Sequence, residues 1–269
     1  MINKREMPSD LSGWVDAKQS RGVYFFIRDE ALRELKMTET AFRKSVSRLA
    51  GKGRVVRIRS GFYSIVPLEY ETSGTVPPEW FIDDLMAHIG QPYYAGLLSA
   101  AVLHGAAHQQ PQQFHVVTTK ALREIRTGTL AIRFFVKKKL EATPLSRVKV
   151  HTGYVAISTP EATALDVVRY SRFIGGLDRT FTVLQELAES LNPTQLVKAA
   201  SADGNLAFAQ RLGWLLDKAG YAKLTDALWR WVNEKKPFAV KLDPSLPVKG
   251  ATLNSRWRLM VNTDVEGDL

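Results

Sequence analysis

Cations are concentrated between residues 36 and 59 of this 269-residue chain. The segment contains a single acid, Glu39, and eight basic residues: Lys36, Arg43, Lys44, Arg48, Lys52, Arg54, Arg57 and Arg59. Guanidinium and ammonium groups bind phosphate oxygens, and an arginine can also donate two hydrogen bonds to a guanine. Residues of these types, clustered in this way, are suited to the recognition of duplex DNA. Charge alone leaves a solvated basic face as the alternative.

Helical periodicity predicts which of these side chains face outward. Phe42, Val46 and Leu49 fall on one apolar stripe of a helix, which leaves polar side chains on the opposite face. The predicted DNA contacts on the helix are Thr38, Thr40, Arg43, Lys44, Ser47, Arg48 and Lys52. The predicted contacts on a following hairpin are Arg54, Arg57, Arg59, Ser60 and Gly61. Val56 and Ile58 are expected on the hairpin's buried face. With about five to seven phosphates neutralised, affinity should fall with salt at a log–log slope of about −5.

Local signals place these contacts on a small domain. Thr38 is predicted to cap the basic helix, and Gly61 supplies the positive φ that a tight hairpin turn requires. The predicted elements are a helix at 9–20, a strand at 23–26, helices at 29–35 and 39–51, and strands at 54–59 and 62–66. Their order is that of a winged helix-turn-helix domain. The alternative is a winged helix used for protein contact, for which binding would be almost independent of salt.

A proline-rich stretch divides the chain. Residues 67–78 (PLEYETSGTVPP) contain three prolines and little periodicity, so we predict a linker between domains at 1–66 and 79–269. The second domain has strand patterns followed by helical patterns, which predicts a mixed α+β fold ending in a helical bundle. Helical patterns cover 79–89, 94–104, 160–170, 177–191, 193–201, 205–219 and 224–233, and strand patterns cover 114–119, 130–136, 147–151 and 154–158.

The charge distribution, the cysteine content and the lengths of apolar runs limit the classes of protein to which this chain can belong. The first 66 residues contain 14 Lys or Arg and seven Asp or Glu, so they carry most of the chain's net charge of +10. Such concentrated positive charge favours a polyanionic partner. The absence of cysteine excludes disulfides and thiolate metal sites. We see no secretory h-region and no apolar run near the ~20 residues that span a bilayer, so we expect a cytoplasmic protein without membrane contact.

Candidates for catalysis or metal binding are weak. His104 and His108 are four residues apart, a spacing that suits one metal on a helix, but packing histidines are the favoured interpretation. Asp83 and Asp84 are adjacent and point to different faces, and Ser99 has no evident base. P-loop, G-x-S-x-G and G-x-G-x-x-G motifs are absent. We therefore predict no catalytic residue, no metal, no cofactor and no enzymatic activity.

Other polar residues have mainly structural interpretations. Lys137, Lys138 and Lys139 close a strand pattern and suit a solvated turn, although contact with DNA or an acidic partner stays open. Asp166 is expected to pair with a basic neighbour. Trp257 lies between two arginines, which is typical of interface hot spots, but an anchor for the C-terminal tail is the favoured interpretation.

The chain resembles the AbiEi family of antitoxins from bacterial type IV toxin–antitoxin systems. The resemblance rests on the segments GKGRVVRIRSGFYSIVP, YYAGLLSAAVLHGAAHQQPQQFHVVT, ISTPEATALDVVRY, AQRLGWLLDKAG and LDPSLPVKGATLNSRWRLMVN. It implies a two-domain repressor in a phage abortive infection system, whose winged helix binds inverted repeats in its own promoter. It also implies a C-terminal domain that counters a nucleotidyltransferase-like toxin without a stable complex, through residues that the resemblance does not identify.

Two other functions stay open at this point. One is a stand-alone winged-helix regulator whose second domain senses a ligand or partner. The other is a nuclease or nucleotidyltransferase with a DNA-targeting module. Members of the AbiEi family have been likened to nucleotidyltransferase folds, but a Gly-Ser followed by an Asp-x-Asp is not found in this sequence, so transferase activity is not expected.

Overall fold

The computed structural model describes residues 10–106 and 111–267. Within these residues, contacts group the chain into two compact units. Unit 1 comprises Met1–Pro92, Lys120–Phe134 and Lys149–Val155, and unit 2 comprises Tyr93–Thr119, Phe135–Val148 and Ala156–Leu269. The sequence-based division into 1–66, 67–78 and 79–269 stays a prediction.

Unit 1 begins with the predicted order of elements. In chain order these are α1 (Leu11–Gln19), β1 (Phe25–Ile27), α2 (Arg28–Glu34), α3 (Glu39–Gly51), β2 (Val55–Arg59) and β3 (Phe62–Ile65). The three strands form an antiparallel sheet in the order β1-β3-β2. A further helix, α4 (Ile82–Ile89), follows the predicted linker. The order helix, strand, helix, helix, strand, strand is compatible with a winged helix.

Aromatic side chains hold α1 and α3 onto this sheet. The rings of Phe26 and Tyr63 stack at a centroid distance of 5.0 Å, and Trp14 meets Phe26 edge-on at 5.7 Å. Phe42 of α3 meets Tyr63 at 5.8 Å, and Leu49 joins the same cluster. Such offset and edge-to-face pairs add to the free energy gained from apolar burial. The predicted stripe of α3 therefore does face the core.

Strand β2 does not alternate as predicted. Val55 and Ile58 are buried, whereas Val56 is half-buried. The pairing register with β3 shifts between Arg57 and Arg59, so Ile58 is an extra residue in the ladder. A bulge of this kind breaks the two-residue period of a strand. Arg57 is consequently exposed and Arg59 half-buried.

The next elements build a six-stranded sheet. They are β4 (Tyr93–Ala95), α5 (Leu97–Leu103), β5 (Phe114–Thr118), β6 (Ile125–Thr127), β7 (Leu130–Val136), β8 (Leu145–Val150) and β9 (Gly153–Ser158). The strand order is β6-β7-β5-β4-β9-β8. The predicted helix over 94–104 is wrong at its start. Tyr93–Ala95 forms a strand that pairs antiparallel with β5 and parallel with β9 at Ala95. Strand β6 had not been predicted.

Unit 2 also contains a series of helices and a small sheet. The helices are α6 (Pro160–Arg169), α7 (Gly176–Leu187), α8 (Pro193–Asp203), α9 (Leu206–Lys218) and α10 (Ala222–Glu234). The strands are β10 (Val240–Lys241), β11 (Thr252–Asn254) and β12 (Leu259–Val261), in the order β10-β12-β11. Side-chain oxygens of Thr159, Asn192 and Asn205 accept hydrogen bonds at the starts of α6, α8 and α9. The predicted α+β class, with strands first and a helical bundle after, is confirmed.

Trp257 anchors the C-terminal strands to α9, which confirms the prediction that it is an anchor for the C-terminal tail. Its side chain is fully buried, and its indole N–H donates to Asp217 Oδ2 at 2.7 Å. The ring lies directly over Gly213, where an added Cβ would come within 2.1 Å of the ring. The amide of Gln210 donates to the Trp257 carbonyl at 2.9 Å. A glycine at 213 is therefore required by the close approach of the ring.

Lys137 is buried, which corrects its interpretation as part of a solvated turn. Only 5 % of its side chain is exposed, and its ammonium lies 3.0 Å from Asp166 Oδ1 and 3.5 Å from Asp203 Oδ1. The Tyr94 hydroxyl donates to Asp166 Oδ2 at 2.8 Å, and Arg169 also pairs with Asp203. Burial raises the pKa of the Asp166 carboxyl, and Lys137 and Tyr94 oppose that rise. The expected pairing of Asp166 with a basic neighbour is present, while the other two lysines of the run are exposed.

Candidate nucleic-acid interface

The outer face of α3 carries the predicted helix contacts. Thr38 is the N-cap, and its hydroxyl accepts a hydrogen bond from the Ala41 N–H at 3.2 Å, as the sequence predicted. All seven side chains of the predicted set are exposed: Thr38, Thr40, Arg43, Lys44, Ser47, Arg48 and Lys52. The bounds of α3 match the predicted 39–51. The cap and the apolar stripe together orient this face outward.

Four of these side chains lie together. Arg43, Lys44, Ser47 and Arg48 line one shallow depression. The Arg43 side chain is 76 % exposed, and its guanidinium is paired with Glu39 at 3.1 Å, one helical turn away. Such exposed pairs contribute little to stability, so a phosphate or a base edge can compete for the guanidinium. The depression is a cationic surface with one hydroxyl, that of Ser47, a composition that suits contact with DNA.

Arg54 differs from the other predicted hairpin contacts, because it already has a protein partner. Its guanidinium is paired with the Asp16 carboxylate of α1 and is half-buried. The pair joins the end of α1 to the start of β2. Arg54 thus has a positioning role within unit 1, and its contact with DNA stays a prediction. Arg57, in contrast, is exposed.

The hairpin turn at Ser60 and Gly61 is held by α4. Gly61 has φ +75°, the left-handed conformation that the predicted turn needs. The His88 ring lies beside it, with Nε2 3.0 Å from the Ser60 carbonyl, and a Cβ on Gly61 would contact the ring at 3.4 Å. The Arg28 N–H donates to the Gly61 carbonyl at 2.8 Å. Sequence reasoning missed His88, since nothing local connects residue 88 with a turn 27 residues earlier.

The histidine pair is not assembled into a site within the described residues. His104 ends α5 and its Nε2 lies 2.7 Å from the Ser158 carbonyl, which is the packing role that we favoured. His108 lies outside the described residues. Across 10–106 and 111–267, no group of three or more His, Cys, Asp or Glu side chains is arranged to hold a metal ion. Asp83 and Asp84 are exposed on the first turn of α4, where they complement the helix dipole.

Replacing Thr38 with alanine is expected to lower the unfolding free energy by about 1 kcal/mol, because one N–H of the first turn of α3 loses its acceptor. Urea unfolding of the full chain checks this value. Thr40→Ala is the matched control, since Thr40 is exposed on the same turn without a capping role. Equal stability of the two variants would contradict the cap.

A comparison with protein families identifies the middle of the chain. Residues 94–218 match the AbiEi antitoxin C-terminal domain. These residues are similar to that domain of the AbiEi antitoxins. The resemblance inferred from the sequence is therefore confirmed for these residues, and the matched domain is that of an antitoxin family. The AbiEi antitoxin family is not an enzyme family.

A solved structure shares the fold over nearly the whole chain. It is the crystal structure of the RV2827C protein from Mycobacterium tuberculosis, with a TM-score of 0.67 and 14% sequence identity. The match covers 98% of this chain and 93% of that chain, and at this identity it establishes similarity of fold alone. The search of curated proteins found no match. Among the helices that the structure describes, none has the length and apolar character needed to cross a bilayer.

Proposed function

We propose that this chain is a DNA-binding antitoxin of a type IV toxin–antitoxin system. Residues 11–65 act as a winged helix that represses the chain's own operon at inverted repeats, and the AbiEi domain counters a nucleotidyltransferase-like toxin. The observation that carries the proposal is the AbiEi antitoxin domain at residues 94–218. The cationic outer face of α3 in the same chain supports the DNA-binding half.

The physical basis for DNA binding is the separation of faces on α3. One face packs Phe42 and Leu49 into the core, and the opposite face presents two arginines and a lysine around a shallow depression. A helix whose buried stripe is fixed in this way can enter a major groove without rearrangement. The exposed Arg57 on β2 adds a cation that suits the sugar–phosphate backbone.

Co-expression with the product of the adjacent gene tests the antitoxin half. We expect the full chain to restore growth of cells that express the toxin. The triple variant Arg43→Ala/Lys44→Ala/Arg48→Ala is the informative comparison, because it removes cations from α3 and leaves unit 2 unchanged. It should lose repression of a promoter fusion and keep the rescue of growth. Failure of the parent chain to rescue growth would contradict the antitoxin role.

Two single substitutions separate base reading from backbone contact. If Arg43 reads a base, Arg43→Ala should cost about 1–3 kcal/mol on the operator and relax the preference for one base position. Arg57→Ala should weaken binding evenly across sequences and make the salt slope less steep by about one unit. Binding of both variants like the parent, measured by fluorescence anisotropy on operator and scrambled duplexes, would refute these assignments.

A further inference from the structure

A basic hairpin from within the AbiEi domain lies beside the predicted wing. Residues 120–134, which include β6 and most of β7, belong to unit 1 with Met1–Pro92. Strand β6 packs beside β2, the strand that carries Arg57 and Arg59. β2 is the edge strand of its own three-stranded sheet, and β6 belongs to the six-stranded sheet. The family match covers 94–218, and sequence position alone would assign this hairpin to the antitoxin domain.

The turn of the hairpin is fixed to the predicted linker. Thr129 donates a side-chain hydrogen bond to the Ser73 carbonyl at 2.8 Å. Gly128 has φ +55°, and a Cβ there would lie 3.3 Å from the same carbonyl oxygen. On the strand itself, Ile125 is buried and pairs with Ile132 of β7. The hairpin is therefore a packed part of unit 1, with a defined inner and outer side.

Exposed cations lie on β6 and on the segment that leads into it. Lys120, Arg123 and Arg126 are exposed, and the side chain of Arg126 is 65 % exposed. Arg126 is paired with Glu124 at 2.8 Å, a solvent-facing pair whose attraction is weak enough for a phosphate to compete. Residues 120–126 carry three cations and one acid next to β2, whose Arg57 is proposed to contact the DNA backbone.

We infer that Lys120, Arg123 and Arg126 extend the DNA-binding surface beyond the winged helix and contact backbone phosphates that flank the operator half-site. The inference rests on the proposed function and adds a set of contacts to it. The duplex recognised is longer than a winged helix alone covers, because β6 widens the basic surface next to β2. These contacts are with phosphates, so they raise affinity and salt dependence without changing sequence preference.

The test compares two variants of the full chain that lose the same charge. Lys120→Ala/Arg123→Ala/Arg126→Ala removes the three hairpin cations, and Lys223→Ala/Arg230→Ala/Lys235→Ala removes three exposed cations of α10 and its C-cap in unit 2. Binding to the operator duplex is measured at salt concentrations from about 0.05 to about 0.3 M, a range wide enough to give the slope of log affinity against log salt concentration. For three lost phosphate contacts we expect the hairpin variant to bind roughly 170-fold more weakly at about 0.15 M salt, with a slope less steep by about three units. The α10 variant should keep the parent's slope.

The outcomes separate this inference from the proposed function. If the parent has a salt slope of about −5 and the hairpin variant has the same affinity and slope as the α10 variant, the inference is overturned and DNA binding by the winged helix stands. A parent chain that does not bind the duplex overturns both. Melting temperatures of the two variants, compared with that of the parent, show whether weaker binding reflects loss of fold.

A cysteine probe gives an independent readout, because the chain contains no cysteine. Arg123→Cys and Lys223→Cys each create a unique thiol for an iron chelate that cleaves nearby DNA. We expect the chelate at position 123 to cut the backbone just outside the protected half-site and the chelate at 223 to cut weakly. No cleavage from position 123, with intact binding of the labelled protein, would overturn the inference.

Discussion

Replacing Lys137 with alanine is expected to destabilise the folded protein by about 3–5 kcal/mol, because it leaves buried carboxylates without their cation. The Asp166 side chain has no exposed surface and that of Asp203 is 2 % exposed. Water cannot replace the ammonium at these positions, and Arg169 reaches Asp203 but not the Asp166 oxygens that bind Lys137 and Tyr94. Urea unfolding of the full chain, followed by tryptophan fluorescence, measures the loss.

Lys138→Ala is the matched control for this substitution, since Lys138 is the next residue and is exposed. We expect it to change the unfolding free energy by less than about 0.5 kcal/mol. The loss in the Lys137 variant should shrink as the pH falls. Burial raises the pKa of folded Asp166, and loss of Lys137 removes the cation that opposes this rise, so the variant's folded state gains more stability than the parent's as the carboxyl is protonated. Equal unfolding midpoints for the two variants would contradict the buried network.

Replacing Trp257 with alanine should cost about 3–5 kcal/mol, because it removes the largest fully buried side chain of unit 2. The substitution also removes the donor to Asp217 and empties the space over Gly213. Leu253→Ala on β11 is the control, since that side chain is apolar but 60% exposed. A Trp257 variant as stable as the Leu253 variant would mean that the tail is not anchored by this ring.

The pair Gly213 and Trp257 gives a sharper form of the same prediction. Gly213→Ala alone places a Cβ about 2.1 Å from the ring and should be strongly destabilising. In the double variant Gly213→Ala/Trp257→Ala the clash is absent, so the combined loss should be smaller than the sum of the two single losses. Non-additivity of about 1 kcal/mol or more is expected for residues in such contact, whereas simple additivity would contradict it.

Local sequence signals were sufficient to predict the helices and strands of residues 11–65. Thr38 as cap, the apolar stripe of Phe42 and Leu49, and Gly61 at the turn all involve residues within a few positions of one another. These interactions depend on backbone geometry that the sequence displays directly. Trp257 was also predictable, because a tryptophan in a short polar tail has few ways to satisfy its apolar surface except by burial.

Long-range pairing explains what the sequence did not reveal. Strand β4 is three residues long and is defined by partners near residues 117 and 157, so its local pattern merged with the helix that follows. Lys137 belongs to a run of three lysines, and its partners Asp166 and Asp203 are 29 and 66 positions away. A triple-lysine run carries no local signal for which member is buried. The bulge at Ile58 and the contact of His88 with Ser60 have the same origin.

Footprinting of the DNA upstream of the native operon with the full chain tests the central claim most directly. The claim is that the cationic face near the amino end of the chain binds duplex DNA electrostatically. We predict protected inverted repeats at low salt and an affinity that falls with a log–log slope of about −5 as salt is raised. No protected bases at low salt, or a slope near zero, would contradict the account.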